Sequence, residues 1–181
     1  MVEERYAYPF AELISMTQYK TCPGCGLRLP DRHLDAAERY RASGECRELY
    51  HELSAWLMMN QDLGFRAQHA VDAYGAQHSG GVTKNITTAF ALIGLYLALE
   101  KGFSGRRVQQ IHMELARMSI EWPSLEPPAA NYAITVADVV RAEEGPAREE
   151  MLMEWARCAW DAWRERHDWV RSVCAAHLRL D

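Results

Sequence analysis

The chain has no apolar run long enough to cross a bilayer. Its most apolar stretch, residues 86–99, falls short of the roughly 20 residues a span needs and carries Thr87, Thr88 and Tyr96. That stretch reads as a core helix, and no membrane partner is expected. The opening Met-Val-Glu-Glu-Arg has neither a basic start nor an apolar run before a small-residue cleavage site, so no secretory leader is expected and the cytoplasm is the expected compartment. A basic patch is also missing. Formal net charge is −5, and the arginines of residues 28–47 alternate with Asp31, Asp35, Glu38 and Glu45, which argues against a nucleic-acid partner. There is no internal repeat, no low-complexity tract and no β-hairpin signal. No glycine-rich phosphate loop, serine-nucleophile motif or His-Glu-x-x-His helix points to a named reaction.

What is present is the composition of a folded protein: 181 residues, 49% hydrophobic and 25% charged. That length builds one core and is short for two, so residues 1–181 are expected to form a single mainly α-helical domain, a bundle. An N-terminal knuckle at residues 19–46 is expected to pack on it. Apolar residues recur at helical spacing at Leu49, Leu53, Trp56 and Leu57, after the start signal Ser43-Gly44. A second helix is predicted over about residues 65–77, closed by Ser79-Gly80-Gly81, with His78 in its last turn. Thr83 is placed to cap the apolar helix, and Ser104 to cap another with Val108, Ile111, Leu115 and Met118 on one face. Pro123, Pro127 and Pro128 end that pattern. Thr135-Val136-Ala137-Asp138 resembles a capping box. Residues 146–178 read as one long helix whose stripe runs Ala156, Trp160, Trp163, His167, Val170, Cys174 and His177.

Five cysteines are an odd number for a disulfide framework, which draws the eye to Cys22-Pro23-Gly24-Cys25-Gly26. Pro23 fixes a backbone angle, and Gly24 and Gly26 permit positive φ, so two thiolates can share one tight turn. Soft sulfur donors make zinc the expected metal. Cys46, just inside a helix start, is the expected third ligand, because the helix N-terminus favours a thiolate. His33, His51, His69 and His78 are candidates for the fourth position, or water completes the shell; His78 is the one carried forward. The alternatives are a redox pair, which normally follows a strand in a βαβ setting absent here, or idle thiols. Cys158 and Cys174 read as small buried hydrophobes.

The second helix adds polar groups. Tyr74 and His78 share one face, His69 and Asp72 another, while Asp72 and His78 lie about 120° apart around the axis. With His167 carried inward by its tryptophan stripe, Asp72, His78 and His167 are expected in one polar cavity, with imidazole as ligand or general base and carboxylate as ligand or orienting group. The bland reading is that Asp72 pairs locally and that His78 bonds carbonyls at a helix end.

These residues resemble a bacterial family of uncharacterised proteins, DUF5946. The resemblance rests on the cysteine turn with Cys46 downstream, on Val71-Asp72-Ala73-Tyr74-Gly75-Ala76-Gln77-His78, and on Ile93-Gly94-Leu95 leading to Leu99-Glu100. It extends to Thr135-Val136-Ala137-Asp138-Val139, followed by Trp155-Ala156 and His167-Asp168-Trp169-Val170-Arg171. It implies no activity. Two function classes follow from the residues themselves. One is a zinc-binding helical protein, with Cys22, Cys25, Cys46 and His78 on the metal, that binds a small ligand or a protein partner. The other is a metal-dependent, hydrolase-like enzyme using Asp72, His78 and His167 as catalytic residues.

Overall fold

A computed structural model describes residues 18–129 and 131–179. Among them are seven α-helices, one short 3-10 turn and one two-stranded ribbon. The ribbon pairs β1 (Tyr19–Thr21) antiparallel to β2 (Arg28–Pro30), Lys20 opposite Leu29. The hairpin, for which the sequence shows no signal, lies at the cysteine turn and leaves the mainly α-helical expectation in place. Its strands are three residues each, too short to show the alternation by which a strand is read from sequence.

The helices are α1 (Gly44–Met59), α2 (Arg66–Gln77), α3 (Asn85–Leu99), α4 (Gly105–Leu115), α5 (Val136–Arg141), α6 (Pro146–Ala162) and α7 (His167–His177). The apolar α3 lies at the centre, packed by α2, α4, α6 and α7. Leu92, Ile93, Leu95 and Leu97 are fully buried, and each contributes about 1.5–3 kcal/mol by leaving water. No helix among the described residues is long and apolar enough to cross a membrane.

Three of the described helix starts are capped by side chains. Ser43 caps α1 by accepting from the Cys46 amide (3.2 Å), Ser104 caps α4 from Arg107 (3.4 Å), and Thr135 with Asp138 forms the capping box of α5. Three expectations fail. Thr83 does not cap α3; its hydroxyl donates to the His78 carbonyl (2.7 Å) and accepts from the Arg41 amide (3.2 Å), closing the end of α2 instead. The long C-terminal helix is also broken, because α6 stops at Ala162 and a 3-10 turn, Arg164–Arg166, precedes α7. Three residues wound at 3.0 per turn instead of 3.6 advance the phase by about 60°. Val170 and Cys174 stay buried, but His167 is half-buried and His177 is exposed. Met118 lies beyond the end of α4 and is exposed, unlike its expected stripe-mates Val108, Ile111 and Leu115.

Candidate metal centre

The hairpin delivers the first two sulfurs. Cys22 donates its amide to the Leu27 carbonyl (2.8 Å) and accepts from the Gly26 amide (3.0 Å), so the turn closes on itself with Gly26 at φ 79°. Gly24 serves a different purpose from a positive φ. A Cβ there would lie 2.4 Å from the Arg41 carbonyl oxygen and 2.6 Å from the His78 ring, so only glycine lets the turn seat against the end of α2.

Cys46 arrives in the first turn of α1, where Glu45 fastens the same turn to the knuckle. Its Oε1 accepts the amides of Arg32 and Leu34, each at 3.2 Å; against the opposing effect of burial, its own backbone amide and then these two bonds hold its pKa low. His78 terminates α2, and that end is tied down from three sides. The Trp155 indole donates to the Gln77 side-chain oxygen (2.8 Å), the Gln77 amide to the Ile134 carbonyl (2.8 Å), and the Trp163 indole to the Ala76 carbonyl (3.1 Å).

The result is that one donor atom from each of Cys22, Cys25, Cys46 and His78 lies within 4.8 Å of the other three, with all four residues buried. The Cys25 and Cys46 sulfurs are 3.8 Å apart, and His78 Nε2 is 3.3 Å from Cys46 Sγ. His78 Nδ1 lies 2.8 Å from the Tyr74 carbonyl, which can only accept. The proton is therefore assigned to Nδ1, leaving the Nε2 lone pair aimed at the sulfurs, the orientation in which histidine ligates metals. The ring of Tyr74 lies against the imidazole, centroids 4.0 Å apart. None of the five cysteines forms a disulfide.

Hydrogen bonds from Cys25 and then Cys46 hold the Cys22 pKa low. The Cys22 contact pushes Cys25 up to about 12 and, together with Cys25, raises Cys46. The buried Tyr74 hydroxyl has no hydrogen-bond partner; burial raises its pKa, and the Cys46 and Cys22 sulfurs raise it further. A polar group orphaned beside a sulfur cluster is suited to donate to a metal-bound thiolate.

The other expected ligands and catalytic residues lie elsewhere. His33 is exposed, with a positive φ, beside Asp31; His51 is exposed; His69 is buried outside the group. Asp72 is buried against α3, with Oδ1 accepting from Gln68 (2.9 Å). His167 stacks flat on Trp160 at 3.7 Å, and its Nε2 lies 3.0 Å from the Trp160 carbonyl. Asp72, His78 and His167 thus make their hydrogen bonds in three separate settings. The turn on α2 separates the first two, and the 3-10 break re-aims the third. Sequence reasoning gave no role to His112, which reaches Gln68 from α4; the amphipathic pattern of that helix carried no signal that it would do so.

Fold and site together define a class, a helical bundle with a buried Cys3His group that could hold a metal ion. The chain belongs to the family of unknown function DUF5946, which it matches over residues 20–164. No curated protein and no solved structure matches it.

Proposed function

We propose that Cys22, Cys25, Cys46 and His78 hold one zinc ion that clamps the knuckle of residues 19–46 onto a single domain spanning residues 1–181. In this reading the protein is a zinc-stabilised helical binding module. The observation that carries it is the convergence of four buried donor atoms within 4.8 Å. Three sulfurs and one imidazole are a recognised structural zinc set. With Zn–S of about 2.3 Å, tetrahedral geometry places sulfurs about 3.8 Å apart, which is the Cys25–Cys46 separation.

Four protein ligands leave no open coordination position, so the site supports structure rather than water activation. The hydrolase reading would need a separate site, and the dispersal of Asp72, His78 and His167 gives it no support. Three thiolates kept reduced fit a reducing compartment, which favours the cytoplasm.

Cobalt(II) substitution tests the ligand set. The intense visible bands of tetrahedral cobalt, with sulfur charge transfer in the near ultraviolet, are expected for the wild type, and His78→Ala should shift or abolish them. A weak octahedral spectrum, or a His78→Ala spectrum identical to the wild type, would refute the Cys3His assignment.

A further inference from the structure

A second polar site lies between α2, α3 and α4, and it does not depend on the metal reading. A cavity of about 200 Å3 opens there, walled by Tyr40, Gln68, Asp72, Thr87, Phe90 and His112. Asp72 is 2% exposed, yet its Oδ2 has no hydrogen-bond partner. The fold makes room for this carboxyl at its own expense. A Cβ at Gly94 of α3 would lie 2.0 Å from Oδ2, so only glycine at that position admits it. Burying an unpartnered carboxyl oxygen costs stability, and no contact within the described chain repays it.

The neighbours are arranged consistently. The Gln68 amide nitrogen donates to Asp72 Oδ1 at 2.9 Å and lies 3.4 Å from His112 Nδ1. Because that nitrogen only donates, His112 Nδ1 is assigned as acceptor and its proton sits on Nε2, which has no partner of hydrogen-bond geometry. The Phe90 ring stacks on His112 at 5.0 Å, and Tyr40 closes another wall.

We propose that this cavity binds a small organic ammonium ion, a primary amine or its methylated form, paired with the Asp72 carboxylate and flanked by the rings of Tyr40 and Phe90. The chemistry selects the charge. Asp72 is the acid in the wall and neither lysine nor arginine lines it, so an anion would meet a carboxyl with no counter-charge. Aromatic faces attract cations. The four-donor metal group of the chain is elsewhere, and Asp72, Gln68 and His112 are too few for a metal ion held by protein alone. The volume falls below the 300–1,000 Å3 typical of drug-sized ligands, which restricts the guest to a few heavy atoms. Burial raises the Asp72 pKa well above the ordinary carboxyl range and lowers that of His112 to about 4, and a paired ammonium would draw the Asp72 pKa back down.

The test uses the full chain with three probes of matched size: butylammonium, butanol and butyrate. Binding is followed by amide chemical shifts and by the melting temperature. Butylammonium is expected to give saturable shifts centred on Gln68, Asp72, Phe90 and His112 and to raise the melting temperature, with butanol and butyrate at least tenfold weaker. Asp72→Asn should melt no lower than the wild type and bind butylammonium at least tenfold more weakly, a combination that a purely structural carboxyl would not produce. Phe90→Leu, with Asp72 intact, should weaken binding severalfold. Butanol or butyrate binding as well as butylammonium, unchanged affinity in Asp72→Asn, or no saturable shift with any probe up to about 10 mM would each overturn the proposal.

Discussion

At the residue scale, one rule explains both sites: a buried polar group is kept where something must meet it. His78 has its Nδ1 proton consumed by Tyr74, which frees Nε2 for the sulfurs. His112 has its Nδ1 assigned as acceptor by Gln68 and carries a pKa depressed to about 4, chiefly by burial, with the Phe90 carbonyl opposing. The sign of the pH effect follows. The unfolded chain takes up a proton near the ordinary histidine value and the folded chain only near 4, so this residue's contribution to folding is whole above about pH 6.5 and declines as pH falls toward 4. The stability difference between wild type and His112→Gln, measured by denaturant titration, should fall by about 2 kcal/mol between about pH 7 and pH 5. Comparing the two proteins cancels Asp72, whose raised pKa works in the opposite direction, its contribution being lost as pH rises. A difference that stays flat with pH would show that His112 is hydrated in the folded protein.

At the element scale, the knuckle turn and the end of α2 are built for each other. Gly24 allows the approach, and Gln77, Trp155 and Trp163 hold the end of the helix that receives it. Gly24→Ala would place a methyl against the Arg41 carbonyl and the His78 ring, with an expected cost of about 2–3 kcal/mol and weakened metal retention, read by melting temperature and metal content. Unchanged values would mean the turn can seat elsewhere. Much of this level was legible in the sequence. The α1, α2 and α4 periodicities, the serine caps and the capping box rest on local chemistry that a single chain displays. What was not legible depended on geometry between elements. Thr83 is drawn to the His78 carbonyl instead of to α3, and a three-residue 3-10 turn breaks the stripe that carried His167. The cysteine turn and Cys46 were readable as donors, whereas the choice of His78 among four histidines needed the packing of α2 against the knuckle.

At the scale of the whole molecule, the sulfur cluster joins parts that are distant in sequence: the hairpin, the start of α1 and the end of α2. In metal-free protein, the three thiols and the imidazole at that junction would meet one another only through weak thiol contacts. Stripping the metal with a strong chelator is therefore expected to lower the melting temperature and to open the amides of the knuckle to hydrogen exchange first, with those of α3 still protected. Loss of protection in α3 at the same time as the knuckle would mean that the metal holds up the entire core. The most direct measurement is the elemental content of protein purified without added metal, made on the wild type and on Cys22→Ser, Cys46→Ser and His78→Ala. About one zinc per chain in the wild type, with loss in each variant, is the expected result. A wild-type protein that is folded and metal-free, or a Cys46→Ser variant that keeps its full zinc, would contradict the Cys3His centre.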